Sequence, residues 1–136
     1  MKNEIIIFED TNIKLEVSLQ DETVWLTQAQ IAQLFDKDRK TITRHIQNIY
    51  KQEELFEEEV CSKKEHTAND GKIYAVKYYN LDMIISIGYR VNSKRGIKFR
   101  QWANRILKEY LIQGYAMNQP RLDYLEKSVK VKEKFK

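Results

Sequence analysis

The chain has one cysteine, one proline and four glycines among 136 residues, and no apolar run longer than four. Each shortage excludes something. With Cys61 alone there is no internal disulfide, which fits a reducing compartment. So little proline and glycine, beside 42% apolar and 32% charged residues, argues against disorder and for regular structure around a core. The run Ile5-Ile6-Ile7-Phe8 is followed at once by Glu9 and Asp10. That is too short for a signal peptide or for a membrane span of about 20 apolar residues, so the expectation is a cytoplasmic protein with no membrane partner. Cys61, His45 and His66 are the only soft ligands, too few and too scattered for a zinc site. No glycine loop that could cradle phosphate is present. The acidic run Glu53, Glu54, Glu57, Glu58 and Glu59 reads as a solvated face rather than a nuclease metal site. No cofactor, no metal and no enzymatic activity are therefore expected.

What is there suits one core. A domain of this length buries most of its apolar surface on folding, and fifteen aromatics supply bulk. The net charge of +4 favours polyanionic partners, though weakly.

Along the chain, Glu4 to Phe8 and Ile13 to Leu19 read as two strands of a hairpin over residues 4–19, because Ile13, Leu15, Val17 and Leu19 alternate with polar residues. Thr23 to Leu26 adds a third strand after the polar turn Gln20-Asp21-Glu22. At Thr27 the period changes. Thr27 is placed as a helix cap, with Ala29, Ile31, Ala32, Leu34 and Phe35 on an apolar face. Asp36-Lys37-Asp38 breaks that helix, and Asp38 caps a second one from Arg39. There Ile42, Ile46, Ile49 and Tyr50 form one buried stripe, opposite Arg39, Lys40, Thr43, Arg44, Gln47 and Asn48. Glu53 to Glu59 reads as a loop or frayed turn. Residues 60–80 read as a second hairpin around Ala68-Asn69-Asp70-Gly71. Helices follow over 81–91 and 93–113, the second with Ile97, Phe99, Trp102, Ala103, Ile106, Leu107, Tyr110 and Leu111 on its buried side. The highly charged stretch 118–136 reads as a tail or the start of a further region, leaving residues 1–117 as the domain.

Residues Thr27 to Arg44 resemble the helix-turn-helix pattern of bacterial and phage regulators. By that resemblance Arg39, Lys40, Thr43, Arg44 and Gln47 face bases, and Gln28 lies near the phosphate backbone. The chemistry suits those places, since arginine and lysine donate to guanine, glutamine and asparagine pair with adenine, and threonine supplies a hydroxyl and a methyl. Two positions depart from the pattern: Asp36 stands for the usual turn glycine and Lys37 for an apolar residue. Asp tolerates left-handed geometry better than most residues. A helix pair followed by a hairpin is a winged-helix arrangement, and Lys63, Lys64, His66 and Lys72 flank the hairpin turn. They serve either as phosphate ligands or as the charges that keep an edge strand from aggregating.

A second resemblance runs from about Val24 to Tyr115. The string Gly88-Tyr89-Arg90-Val91-Asn92-Ser93, with Arg95, Gly96, Phe99, Arg100, Trp102, Ala103 and Tyr110 behind it, resembles the RhuM family of virulence-associated proteins. It is similar, more distantly, to the DNA-binding domains of phage antirepressors of the Bro-N and KilA-N type. Those resemblances imply DNA binding or regulation. Gly88, Tyr89, Arg90, Asn92 and Arg95 form either a phosphate-contacting turn before the long helix or a helix-helix corner.

These readings converge on an α+β protein: a small antiparallel sheet with a winged helix-turn-helix-like helical domain and a long C-terminal helix. The expected function is sequence-specific binding of double-stranded DNA by a transcriptional regulator or antirepressor-like protein. A homodimer is expected because one recognition helix reads few bases. The rival is a protein-interaction module of a larger virulence or toxin-related protein.

Overall fold

The alternation from Ile13 to Leu19 does what a period of two requires. Ile13, Leu15, Val17 and Leu19 are all buried, while Lys14 and Glu16 face solvent. The computed structural model describes residues 4–117. Its strands are β1 (Glu4–Asp10), β2 (Ile13–Gln20), β3 (Thr23–Thr27), β4 (Cys61–Thr67) and β5 (Ile73–Asn80), and its helices α1 (Gln28–Phe35), α2 (Arg39–Lys51), α3 (Glu57–Val60), α4 (Leu81–Val91) and α5 (Lys94–Met117). The chain divides into two units, Met1–Ala103 and Asn104–Lys136, the division falling within α5. The charged stretch 118–136 lies outside the described residues.

The protein is α+β, with five helices and one five-stranded antiparallel sheet among the described residues, in the order β1-β2-β3-β5-β4. The three-strand sheet and the second hairpin expected separately are thus one sheet. They join where β3 pairs with β5, Leu26 opposite Tyr79 and Thr27 opposite Tyr78. Two tight turns carry the N-terminal strands, and Asp21 and Glu22 both adopt positive φ between β2 and β3.

One face of the sheet is apolar. Phe8, Val17, Leu19, Val24, Leu26 and Tyr79 bury there with Ile31, Leu34 and Phe35 of α1, Ile42, Ile46 and Ile49 of α2, and Met83, Ile84 and Ile87 of α4. The stripe expected on α2 is as read, except that Tyr50 is half-buried. Ala29, expected on the apolar face of α1, is exposed, because it sits in the first turn beyond the reach of the core. In α5, Phe99 and Ala103 are buried and the ring of Phe99 packs edge-on to Phe8 at 5.2 Å. Ile97, expected on the buried side, is half-exposed because it opens onto a groove between α4 and α5. Phe35 fills the corner beneath that groove, and a Cβ added at Gly96 would stand 2.8 Å from its ring. The run expected as a loop contains α3, a single turn that buries only Val60.

Candidate nucleic-acid interface

Three local devices set α2 on the surface. The first is Asp38, whose carboxylate accepts the Thr41 amide at 2.7 Å. Hydrogen bonds from Thr41, and then the charges of Lys40 and Arg44, hold that carboxyl below the usual carboxylate range. The second is the turn after α1. Asp36 adopts the left-handed conformation at φ 54°, ψ 49°, where a glycine would be at ease, and the Lys37 amide donates to the Ala32 carbonyl at 2.9 Å. Lys37 stands in solvent, which explains why a charged residue is tolerated there. The third is the brace from Gln28. Its amide nitrogen donates to the Arg39 carbonyl at 3.1 Å and to the Thr43 hydroxyl, which itself donates to the Arg39 carbonyl at 2.9 Å. Gln28 and Thr43 therefore spend donors holding α1 to the first turn of α2.

What α2 turns outward is one shallow depression lined by Gln28, Arg39, Lys40, Thr43, Arg44 and Gln47. Arg39, Lys40, Arg44 and Gln47 are exposed, and Asn48 is half-buried one turn further on. Among the described residues, the side chains of Arg39, Lys40 and Arg44 enter no ion pair and donate no hydrogen bond to a protein group. Behind them His45 is half-buried, and burial, then Arg44, Arg90 and Lys37, press its imidazole below the ordinary range. A second depression shares Gln28 and Arg39 with the first and runs to Ala75 and Lys77 on β5. Lys77 was not singled out from the sequence. Its signal was the alternation of β5, which puts Lys77 on the same face as buried Tyr79 once the pairing partner is known.

The remaining expected residues divide. Lys63 stands opposite Lys77 in the ladder, but Lys64 projects from the far face, where it donates to Gln20 Oε1 at 2.6 Å and lies 5.1 Å from the Tyr78 ring centroid. Arg90 and Arg95 are tied to the protein itself. Arg90 donates to Gln52 at 2.8 Å and pairs with Glu54 at 3.2 Å, just beyond the end of α2. Arg95 donates to the carbonyls of Gln33 and Leu34, satisfying the end of α1, and lies 3.7 Å from Asp10. The helix-helix corner is what these residues build.

Elsewhere, burial pushes the Cys61 thiol up, and pushes Tyr79 up to about 12. Among the described residues, no group of three His, Cys, Asp or Glu is placed to hold a metal ion, and no helix is long and apolar enough to cross a membrane.

A helix pair, a left-handed turn between them and a hairpin completing a sheet define an α+β chain whose helix α2 turns a basic face to solvent. The chain belongs to the virulence protein RhuM family, whose model matches residues 59–136. The matched span takes in β4, β5, α4 and α5 and begins after α1 and α2, so it identifies the chain without bearing on the face of α2. Neither the curated proteins nor the solved structures contain a significant match.

Proposed function

We propose that this protein binds double-stranded DNA sequence-specifically, as a cytoplasmic transcriptional regulator or antirepressor-like protein and not as an enzyme, with α2 entering the major groove. The observation that carries this reading is the outward face of α2, where Arg39, Lys40, Arg44 and Gln47 stand exposed on a helix fixed by three buried isoleucines. An α-helix fits the major groove, and arginine and glutamine are the side chains that read guanine and adenine there. In this reading α1 and α2 act as a helix-turn-helix and the β4–β5 hairpin as its wing. Likeness to the antirepressor domains belongs to the same proposal and rests on the sequence. A homodimer would double the bases read.

Selection from random duplexes, followed by anisotropy titration of the selected and a scrambled duplex, tests it. The selected duplex is expected to bind with affinity that falls by at least about tenfold between low and physiological salt, as phosphate neutralisation requires. No binding to any duplex at low salt would leave the protein-interaction module as the better account.

A further inference from the structure

The ladder of β4 and β5 sorts the hairpin into two chemically different faces. On the helix-bearing side, Cys61 and Tyr79 meet the core, and the next pair outward is Lys63 opposite Lys77, then Glu65 opposite Ala75. The other side carries Lys64 opposite Val76 and His66 opposite Tyr74, with Lys64 engaged by Gln20 and Tyr78. The first face meets the surface of α2 through the depression that Ala75 and Lys77 share with Gln28 and Arg39.

Lys63 and Lys77 are like charges directly across a ladder, an arrangement that is unfavourable unless an anion lies between or beside them. In the free protein one such anion comes from α3. The Glu57 carboxylate lies 3.7 Å from Lys77 Nζ, with both side chains about half exposed. Glu57 and Glu58 also line a depression with Cys61 and Lys63. An ion pair so exposed contributes little, so exchanging the carboxylate for another anion costs little.

Resting on the reading of α2 as a groove-reading helix, we propose that the helix-side face of the hairpin grips the sugar-phosphate backbone of duplex DNA through Lys63 and Lys77, beside the bases that α2 reads. Glu57 is then the internal stand-in for phosphate on Lys77 in the unbound protein, and Lys64 takes no part. The lysines add affinity without sequence preference, because a phosphate carries no base identity.

The full chain and its variants are titrated by anisotropy with a selected and a scrambled duplex over a range of salt, after thermal melts confirm that each variant is folded. Lys63→Ala and Lys77→Ala are each expected to weaken both duplexes by the same factor and to flatten the salt slope by about one unit. Lys64→Ala is expected to leave both affinities and the slope unchanged. Glu57→Gln is expected to tighten both duplexes, an effect of opposite sign that loss of structure does not produce. If Lys64→Ala matches Lys77→Ala, or if neither Lys63→Ala nor Lys77→Ala moves the slope while Arg44→Ala still weakens the selected duplex, the hairpin face is wrong and the reading of α2 stands. If no variant binds because the parent chain binds no duplex, both fall.

Discussion

Arg39 and Arg44 on α2, and Arg90 and Arg95 at the junction of α4 and α5, are the same side chain put to two uses. At the junction each guanidinium is held by the fold, Arg90 through one terminal nitrogen on Gln52 and Glu54, and Arg95 on Gln33, Leu34 and Asp10. On α2, among the described residues, neither guanidinium has a protein partner. A guanidinium whose donors are spent inside the fold contributes to stability and has little left for a ligand, whereas one left in solvent contributes little to stability and keeps its whole fork. Position in the chain does not separate the two kinds; only their neighbours do.

The largest effect that would sharpen this contrast lies at the junction. Phe35 is buried beneath Gly88 and Gly96, and Phe35→Ala is expected to cost about 3–5 kcal/mol in a denaturant melt, with Gly96→Ala costing about 1–3 kcal/mol by forcing the ring to move. A Gly96→Ala melt identical to the parent would mean that the corner is loosely packed and its arginines less committed than their distances imply. Next comes the pair itself. Arg95→Ala is expected to lower stability by about 1–2 kcal/mol through the orphaned carbonyls of α1, with no change in the preference for selected over scrambled duplex.

Arg44→Ala is the mirror experiment. Stability should stay within about 0.5 kcal/mol of the parent. Binding to the selected duplex should weaken by about 1–3 kcal/mol with little change on scrambled DNA. Equal losses on both duplexes for Arg44→Ala and Arg39→Ala would reduce α2 to a charged surface.

The smallest effect is read at His45, which both arginine groups touch electrostatically. Its folded value lies below the ordinary imidazole value, so the unfolded chain takes up a proton first as the pH falls. The stability that neutral His45 preserves is therefore whole above about pH 6.5 and declines as the pH drops below it, levelling off under the folded value. A melt series from pH 8 to 5 should show this decline, and His45→Gln should lack it. Proton NMR titration should place His45 higher in Arg44→Ala and, to a lesser degree, in Arg90→Ala. An unmoved titration in both would mean that the two arginines have no part in the shift.

Much of the fold was legible because its elements obey short-range rules. The buried stripe of α2, the caps at Thr27 and Asp38, and the alternation of β2 depend on residues within a few positions of one another. What was not legible depends on distant partners. The joining of two hairpins into one sheet requires β3 to meet β5, and nothing in Thr23 to Thr27 announces Tyr78. The same gap explains the site residues. Lys63 and Lys64 look alike in a row, but pairing sends them to opposite faces, and Lys77 gains interest only after Tyr79 is known to be buried. Arg95 reads either as a phosphate ligand or as a corner residue, because the end of α1 that it caps lies some sixty residues earlier. Asp36 is the reverse case, a departure from the turn pattern whose left-handed backbone follows from the chemistry of aspartate alone.

The seam between β3 and β5 also governs how the chain must fold. Thr27 pairs with Tyr78, so the fifty residues 28–77 have to be closed into a loop before the centre of the sheet exists. Closing a flexible loop of that length costs about 3–4 kcal/mol of chain entropy, which collapse of α1 and α2 onto the core must offset first. The two hairpins at the flanks are local and quick, the seam is non-local and slow, and until it forms β3 and β5 each present a bare edge. A fragment cut at residue 59 would keep the β4–β5 hairpin yet leave β5 permanently without its second neighbour. Such a fragment should aggregate more readily than the full chain.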